Sequence, residues 1–250
     1  MATTALRTTR ALFTTLPQIT TPNPTPKTIL EVERKFRRLT VPTLTGLTTT
    51  TPHPQPPHLD HHPLFHTVHP LPRLTLHDTY YDTPHHALSL AGAWIRRRNG
   101  AWEAKVRKGG DFVNSRFEEL RGEAEVRKCV SRVLGRGVRH EGGEGEDFGL
   151  GVMAELVTVR EGWVVDGEFR VVRDVVGLGG GIGHEVGEVE LQVEVEGEVG
   201  EGEKGVMMEG MDRRVEEFMQ RYAWAWERGE VVGKLAAYFE MLERRGGAEV

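Results

Sequence analysis

The chain has 250 residues, 38% hydrophobic and 28% charged, with a formal net charge of -5, which is enough apolar content to bury a real core and rules out wholesale disorder. No run approaches the about 18 apolar residues of a membrane helix, and the single cysteine, Cys129, excludes an intrachain disulfide or a cysteine metal cluster, so a soluble, intracellular protein is expected. The mildly acidic balance and the lack of a long basic stretch leave little electrostatic footprint for nucleic acid.

Residues 1–27 hold Arg7, Arg10 and Lys27, many threonines and no acid. Their poor apolar periodicity predicts a disordered tail on a cytoplasmic protein, with a mitochondrial presequence as the alternative. One domain is expected over residues 28–243. Residues 28–38 alternate strictly, with Glu31, Glu33 and Lys35 on one side and Leu30, Val32, Arg34 and Phe36 on the other, which predicts a strand. Residues 40–73 are rich in Thr, Pro and His, too poor in apolar side chains for a core of their own, and read as a disordered or loosely docked insertion.

Seven more strands are predicted at 74–82, 93–98, 101–107, 112–120, 154–165, 168–176 and 184–196, and helices at 123–134, at 211–226 and from about Gly233 onward. Asn99-Gly100 and Asp166-Gly167 are dipeptides that tolerate the positive φ of tight hairpin turns. The Gly/Glu stretches 135–151, 177–183 and 197–205 read as surface loops.

A two-residue turn at Asn99-Gly100 pairs Trp94 with Lys105, Arg96 with Glu103 and Arg98 with Ala101. One face of that hairpin then carries Trp94, Arg96, Arg98, Glu103 and Lys105, and the other Ile95, Arg97, Trp102, Ala104 and Val106. The last strand sorts likewise, with Glu188, Glu190, Gln192, Glu194 and Glu196 in phase. A single such strand is usually a solvated face. Several in an eight-strand chain predict a closed antiparallel barrel with a charged interior and an apolar outside packed by helices. Clustered like charges inside a lumen are costly unless ligands compensate them. Oxygen-only carboxylates suit Mg²⁺, with Mn²⁺ as the alternative, and a cluster of Arg and Lys suits a polyphosphate. A metal-bound triphosphate meets both demands.

The motifs EVERKF at 31–36, DTYYDTP at 78–84, AWIRRR at 93–98 followed by WEAK, SRFEEL at 115–120 and VGEVEL at 186–191 occur in one order along the chain. Together they resemble the CYTH-domain triphosphate tunnel metalloenzymes, and within them the thiamine-triphosphatase branch. The resemblance implies an eight-stranded tunnel barrel in a hydrolase of phosphoanhydride bonds. It implies that Glu31, Glu33, Glu188 and Glu190 bind the metal, and that Lys35, Arg96, Arg98, Lys105, Arg160 and Lys234 bind the triphosphate. Glu119 matches a tunnel glutamate for which a hydrogen bond to a basic neighbour is expected. The seventh strand departs from the family pattern of two aspartates one residue apart: here it reads Val172, Arg173, Asp174. Asp174 is expected to replace or support the missing ligand. A strict Asp166-Gly167 turn would set Arg160 and Asp174 on opposite faces, so a bulge near Glu161-Gly162 is expected to bring them together.

The implied reaction is attack of water on the terminal phosphoryl group, the water held by Lys35, Glu188 or Glu190. Trp94, in phase with Arg96 and Arg98, would stack on the thiamine rings, a mark of that branch; a hydrophobic plug at the barrel end is the alternative. A monomer is expected, its partner a small-molecule triphosphate, with no nucleic acid and no membrane. The alternatives are hydrolysis of inorganic tripolyphosphate or another organic triphosphate, a class IV adenylate cyclase, and polyphosphate binding without catalysis. The histidines from His53 to His69 have irregular, proline-interrupted spacing and Cys129 sits on an apolar helical stripe, so neither is expected to be functional.

Overall fold

A computed structural model describes residues 27–49, 61–135, 147–177, 183–197, 199–227 and 229–246. The tail at 1–26, the middle of the insertion at 50–60 and the loop segments 136–146 and 178–182 lie outside the described residues.

Eight antiparallel strands close on themselves: β1 (Lys27–Phe36), β4 (Leu74–Asp82), β5 (Ala93–Arg98), β6 (Ala101–Gly110), β7 (Asn114–Arg121), β8 (Gly151–Val165), β9 (Phe169–Gly177) and β10 (Gly183–Glu196). Around the ring they run β8-β4-β5-β6-β7-β1-β10-β9, and the β8–β9 pairing seals it. All eight predicted strands are therefore present, in a closed barrel. The pairings Trp94–Lys105, Arg96–Glu103 and Arg98–Ala101 are those the two-residue turn requires, with Asn99 at φ 48° and Gly100 at φ 85°.

Alternation sends most charged side chains of β1, β5, β6 and β10 inward and most of their apolar ones outward. On one side, Leu30, Val32, Val171, Val189 and Leu191 are buried against Met208, Met211, Val215 and Phe218 of α3 (Glu201–Arg221). On another, Ala93, Ile95, Trp102 and Ala104 are buried with Val126, Cys129 and Val130 of α2 (Glu123–Leu134). Phe36 packs across β10 at Gly187, where any Cβ would fall about 2.0 Å from its ring. Short α1 (Ala87–Leu90) is fixed by the Asp82 carboxylate, which accepts the backbone N–H groups of Leu88 and Ser89.

Four expectations are corrected. The insertion is docked where it is described: Leu44 and Phe65 are fully buried, and Phe65 stacks among Phe218, Tyr222 and Trp224. Just before the insertion, β2 (Arg38–Leu39) pairs with β11 (Trp226–Glu227), and its own β3 (Val68–Pro70) pairs with the end of β8. The segment builds no core of its own; it lends aromatic and aliphatic residues to the barrel's outer core, each worth about 2 kcal/mol on burial. The 197–205 stretch is not all loop, because α3 starts at Glu201, with Glu201 and Glu203 in its first turn and Lys204 bound to Glu118 at 2.8 Å. That helix ends at Arg221 rather than at 226, since Trp226 and Glu227 are taken into the β2–β11 ladder.

The fourth concerns the β8–β9 turn, which has three residues, since Val165 pairs with Phe169. The Asp166 carboxylate accepts the N–H groups of His66 and Thr67 and the Tyr222 hydroxyl, which fixes the turn outside the ladder. The extra residue moves the register by one. Arg160 now pairs directly with Asp174, on the lumen side, and no bulge at Glu161-Gly162 is needed.

Candidate active site: a charged tunnel

The lumen is a cavity of about 350 Å³ lined by Glu31, Glu33, Lys35, Trp94, Arg96, Arg98, Lys105, Glu119, Arg160, Glu188, Glu190 and Lys234. Every predicted site residue except Asp174 reaches it. They come from β1, β5, β6, β7, β8, β10 and the start of α4 (Lys234–Gly246), all directed inward by strand alternation save Lys234, which α4 supplies from outside the sheet.

Acids and bases neutralise one another across this space. Lys35 bonds to Glu33 and stands 3.9 Å from Glu188. Lys105 bonds to Glu31, lies 3.0 Å from Glu33 and 3.5 Å from Glu119. Burial works against the charge on Lys105, but Glu31, Glu33 and Glu119 outweigh it and hold its pKa well above the usual lysine range. Lys35 is raised too: burial opposes its charge, and Glu33 and Glu188 prevail. The nearly buried Arg160 and Asp174 form a two-pronged pair, both contacts at 2.7 Å, and Lys234 adds a 2.5 Å bond to the same carboxylate.

Asp174, read from the sequence as a metal ligand, thus has both oxygens held by cations, is fully buried and does not line the cavity. Glu119 lies beside two basic neighbours, Lys105 and Arg121, the latter at 3.2 Å.

The structure adds residues that the motif reading did not single out. Asp78 binds Arg98 through two 2.7 Å contacts, and the Tyr80 hydroxyl lies 3.4 Å from Arg96, which also binds Glu103. Gln192 donates to Glu31 at 2.6 Å. Arg170, in phase with Val172 and Asp174 on β9, enters the lumen 3.7 Å from Glu190. Strand parity held the signal for all of these: Asp78 and Tyr80 share a face that β4 pairs to Arg98 and Arg96.

Trp94 meets Phe117 edge to face at 5.7 Å, and the Arg107 guanidinium lies over it at 5.0 Å. Next to it, Tyr80, Ala154, Leu156 and Val176 pack with Leu235 and Tyr238 of α4. The tunnel therefore combines charged walls with an apolar corner at Trp94, and Leu74, Leu76 and Phe112 line it as well.

As donors, Glu31, Glu33, Glu188 and Glu190 offer only carboxylate oxygen, which suits a hard divalent cation. Yet among the described residues no three acidic, histidine or cysteine side chains are grouped to enclose an ion. Lys35, Lys105 and Arg160 stand between them. The donor type fits a metal, and the present spacing serves ion pairing.

A closed eight-stranded barrel whose lumen pairs a wall of glutamates with a ring of lysines and arginines defines the class: a charged-tunnel barrel. The family model described as the CYTH domain matches residues 66–206, and the chain belongs to that family. It is 33% identical over 138 residues to the thiamine-triphosphatase of Macaca fascicularis, an alignment spanning 51% of this chain and 60% of the relative. To the human thiamine-triphosphatase it is 32% identical over 141 residues, with the same coverage. The chain thus matches about 60% of the length of these curated relatives. Among solved structures, it is similar to a Hippeastrum protein described as revealing a dominant triphosphatase activity, at 21% identity and a TM-score of 0.42, covering 84% of this chain and 95% of that one. A Pyrococcus horikoshii protein matches at 18% identity and a TM-score of 0.43, covering 84% and 98%. No helix among the described residues is long and apolar enough to cross a membrane.

Proposed function

We propose that this protein hydrolyses the terminal phosphoanhydride bond of an organic triphosphate, with thiamine triphosphate as the substrate and Mg²⁺ as the cofactor. The observation that carries this reading is the self-neutralised lumen: a ring of cations suited to a polyanion is paired with carboxylates suited to a divalent ion. An incoming triphosphate competes for Lys35, Arg96, Arg98, Lys105, Arg160 and Lys234. Glu31, Glu33, Glu188 and Glu190, freed of those cations, would be the residues to hold a divalent ion, which would supply positive charge beside the phosphate oxygens.

The metal, when bound, supplies charge neutralisation on the phosphate oxygens and lowers the pKa of a bound water. The chain's own groups do the rest. Arg160, locked by Asp174 and lying 3.5 Å from both Glu188 and Glu190, sets a fixed positive charge beside the acid wall. Lys35, between Glu33 and Glu188, holds its proton and so stays a cation available to the leaving diphosphate or the attacking water. Burial pushes the pKa of Glu190 upward, with the Glu31 and Glu188 charges adding to it and Arg160 opposing it.

The apolar corner around Trp94 and Leu235 favours an organic group over bare tripolyphosphate. The names of the thiamine-triphosphatase relatives support the same substrate. Phosphate release from thiamine triphosphate, nucleoside triphosphates and inorganic tripolyphosphate, each with Mg²⁺, with Mn²⁺ and with neither, tests the proposal. Metal-dependent release with thiamine triphosphate preferred is the expected result; binding without release would leave a polyphosphate-binding module, and equal cleavage of all three would overturn the substrate.

A further inference from the structure

Arg170 is the second residue of β9, and Trp94 is the second residue of β5. Three antiparallel steps separate these strands around the barrel, through β4 and β8, so they run in opposite directions: Ile95, next to Trp94, pairs through Tyr81 to Val152 at the start of β8, whereas Arg170 pairs with Val164 near the end of β8. Arg96, Lys105, Lys35 and Glu190 line the same lumen.

Arg170 differs from the deeper cations in what it binds. Lys35, Arg96, Arg98, Lys105, Arg160 and Lys234 each hydrogen-bond a carboxylate. Arg170 pairs in register with Glu190 on β10, yet its Nε stops 3.7 Å from the nearer carboxylate oxygen and is buried with no hydrogen-bond partner. On its other side, Glu190 faces Arg160 at 3.5 Å, so two guanidinium groups flank one carboxylate without closing on it. A buried N–H without an acceptor costs free energy that a bound oxygen would recover. The guanidinium remains about one third exposed at the cavity wall, open to a ligand.

We infer that Arg170 is a further substrate-binding residue, which receives the outermost phosphoryl group of a triphosphate whose organic end rests against Trp94. This rests on the triphosphate reading of the tunnel. It fixes the direction in which the substrate lies, and it makes Arg170 a reader of chain length: a diphosphate seated on Trp94 ends short of it.

The test compares wild type with Arg170→Ala and Arg170→Lys, measuring KM and kcat for thiamine triphosphate and the inhibition constant of thiamine diphosphate with Mg²⁺. Thermal unfolding confirms that each variant is folded. Loss of one charge-assisted contact is expected to raise KM about tenfold in Arg170→Ala, with partial recovery in Arg170→Lys, while the diphosphate constant shifts less than about twofold. Equal weakening of triphosphate and diphosphate, or no change in either, would overturn the role of Arg170 with the triphosphate reading intact. Wild type that neither binds nor cleaves the triphosphate would overturn that reading itself.

Discussion

Arg160 and Asp174 face each other directly across β8 and β9 and are joined by two 2.7 Å hydrogen bonds, with Asp174 fully buried. The pair orients the guanidinium toward Glu188 and Glu190, and Lys234 shares the aspartate from α4. A carboxylate that sequence pattern would assign to a metal thereby positions two of the cations expected to hold phosphate.

Replacing Asp174 is therefore expected to act on stability and on cation placement together. Asp174→Asn leaves Arg160 and Lys234 buried with reduced compensation, and should cost about 3–5 kcal/mol in denaturant unfolding, as breaking one side of a buried pair does. A substitution at a simple peripheral metal ligand would instead leave the metal-free protein unchanged or more stable. Urea titration with EDTA present separates the two.

Lys35 sits between Glu33 and Glu188, and Lys105 already neutralises Glu33 from the other side at 3.0 Å. Lys35→Ala should consequently fold, and should lower kcat for triphosphate hydrolysis by about 10²-fold or more through lost electrostatic stabilisation. Steady-state kinetics beside a circular dichroism melt checks both halves. Full activity in Lys35→Ala or in Glu33→Gln would remove these residues from the machinery.

Trp94 sits at the apolar corner, with one approach covered by Arg107 at 5.0 Å and an edge contact to Phe117. Trp94→Ala should raise KM for thiamine triphosphate about tenfold, the scale of one lost ring-stacking contact, and leave inorganic tripolyphosphate within about twofold. Parallel assays on the two substrates decide it: equal losses on both would make Trp94 a structural plug.

The outer face carries a pH-dependent link. Asp212 on α3 accepts hydrogen bonds from Arg34 on β1 and Arg116 on β7. Burial tends to raise its pKa, but the bonds from Arg116 and Arg34 prevail and hold it below the usual aspartate value. A carboxyl depressed in the folded state contributes stability that is fully present above its unfolded pKa of about 3.9 and is lost as pH falls through the lower folded value. Thermal midpoints of wild type and Asp212→Asn, measured from neutral pH downward, should differ at pH 7 and converge as pH falls through the depressed folded value. A constant difference across that range would contradict the link.

Strand alternation made most of the barrel legible in the sequence. The faces of β1, β5, β6 and β10 follow from side-chain parity alone, and Asn99-Gly100 fixed the β5–β6 register because a two-residue turn permits one pairing. Local pattern was sufficient there because each assignment depends on neighbours a few residues away. The docking of Phe65 could not be read that way: a lone aromatic in a Pro/His-rich segment signals nothing until Phe218, Tyr222 and Trp224 are beside it.

What the sequence determined by itself was which residues face the lumen, since the period of two is a property of the extended backbone. What only the tertiary structure decided was how those residues meet. Asp166, held by His66, Thr67 and Tyr222 from distant parts of the chain, adds one residue to the β8–β9 turn and so sets Asp174 against Arg160. The identity of each ion pair in the tunnel depends on barrel closure, which brings β8 to β9 and α4 to the lumen, and no local pattern encodes a contact between residues that far apart.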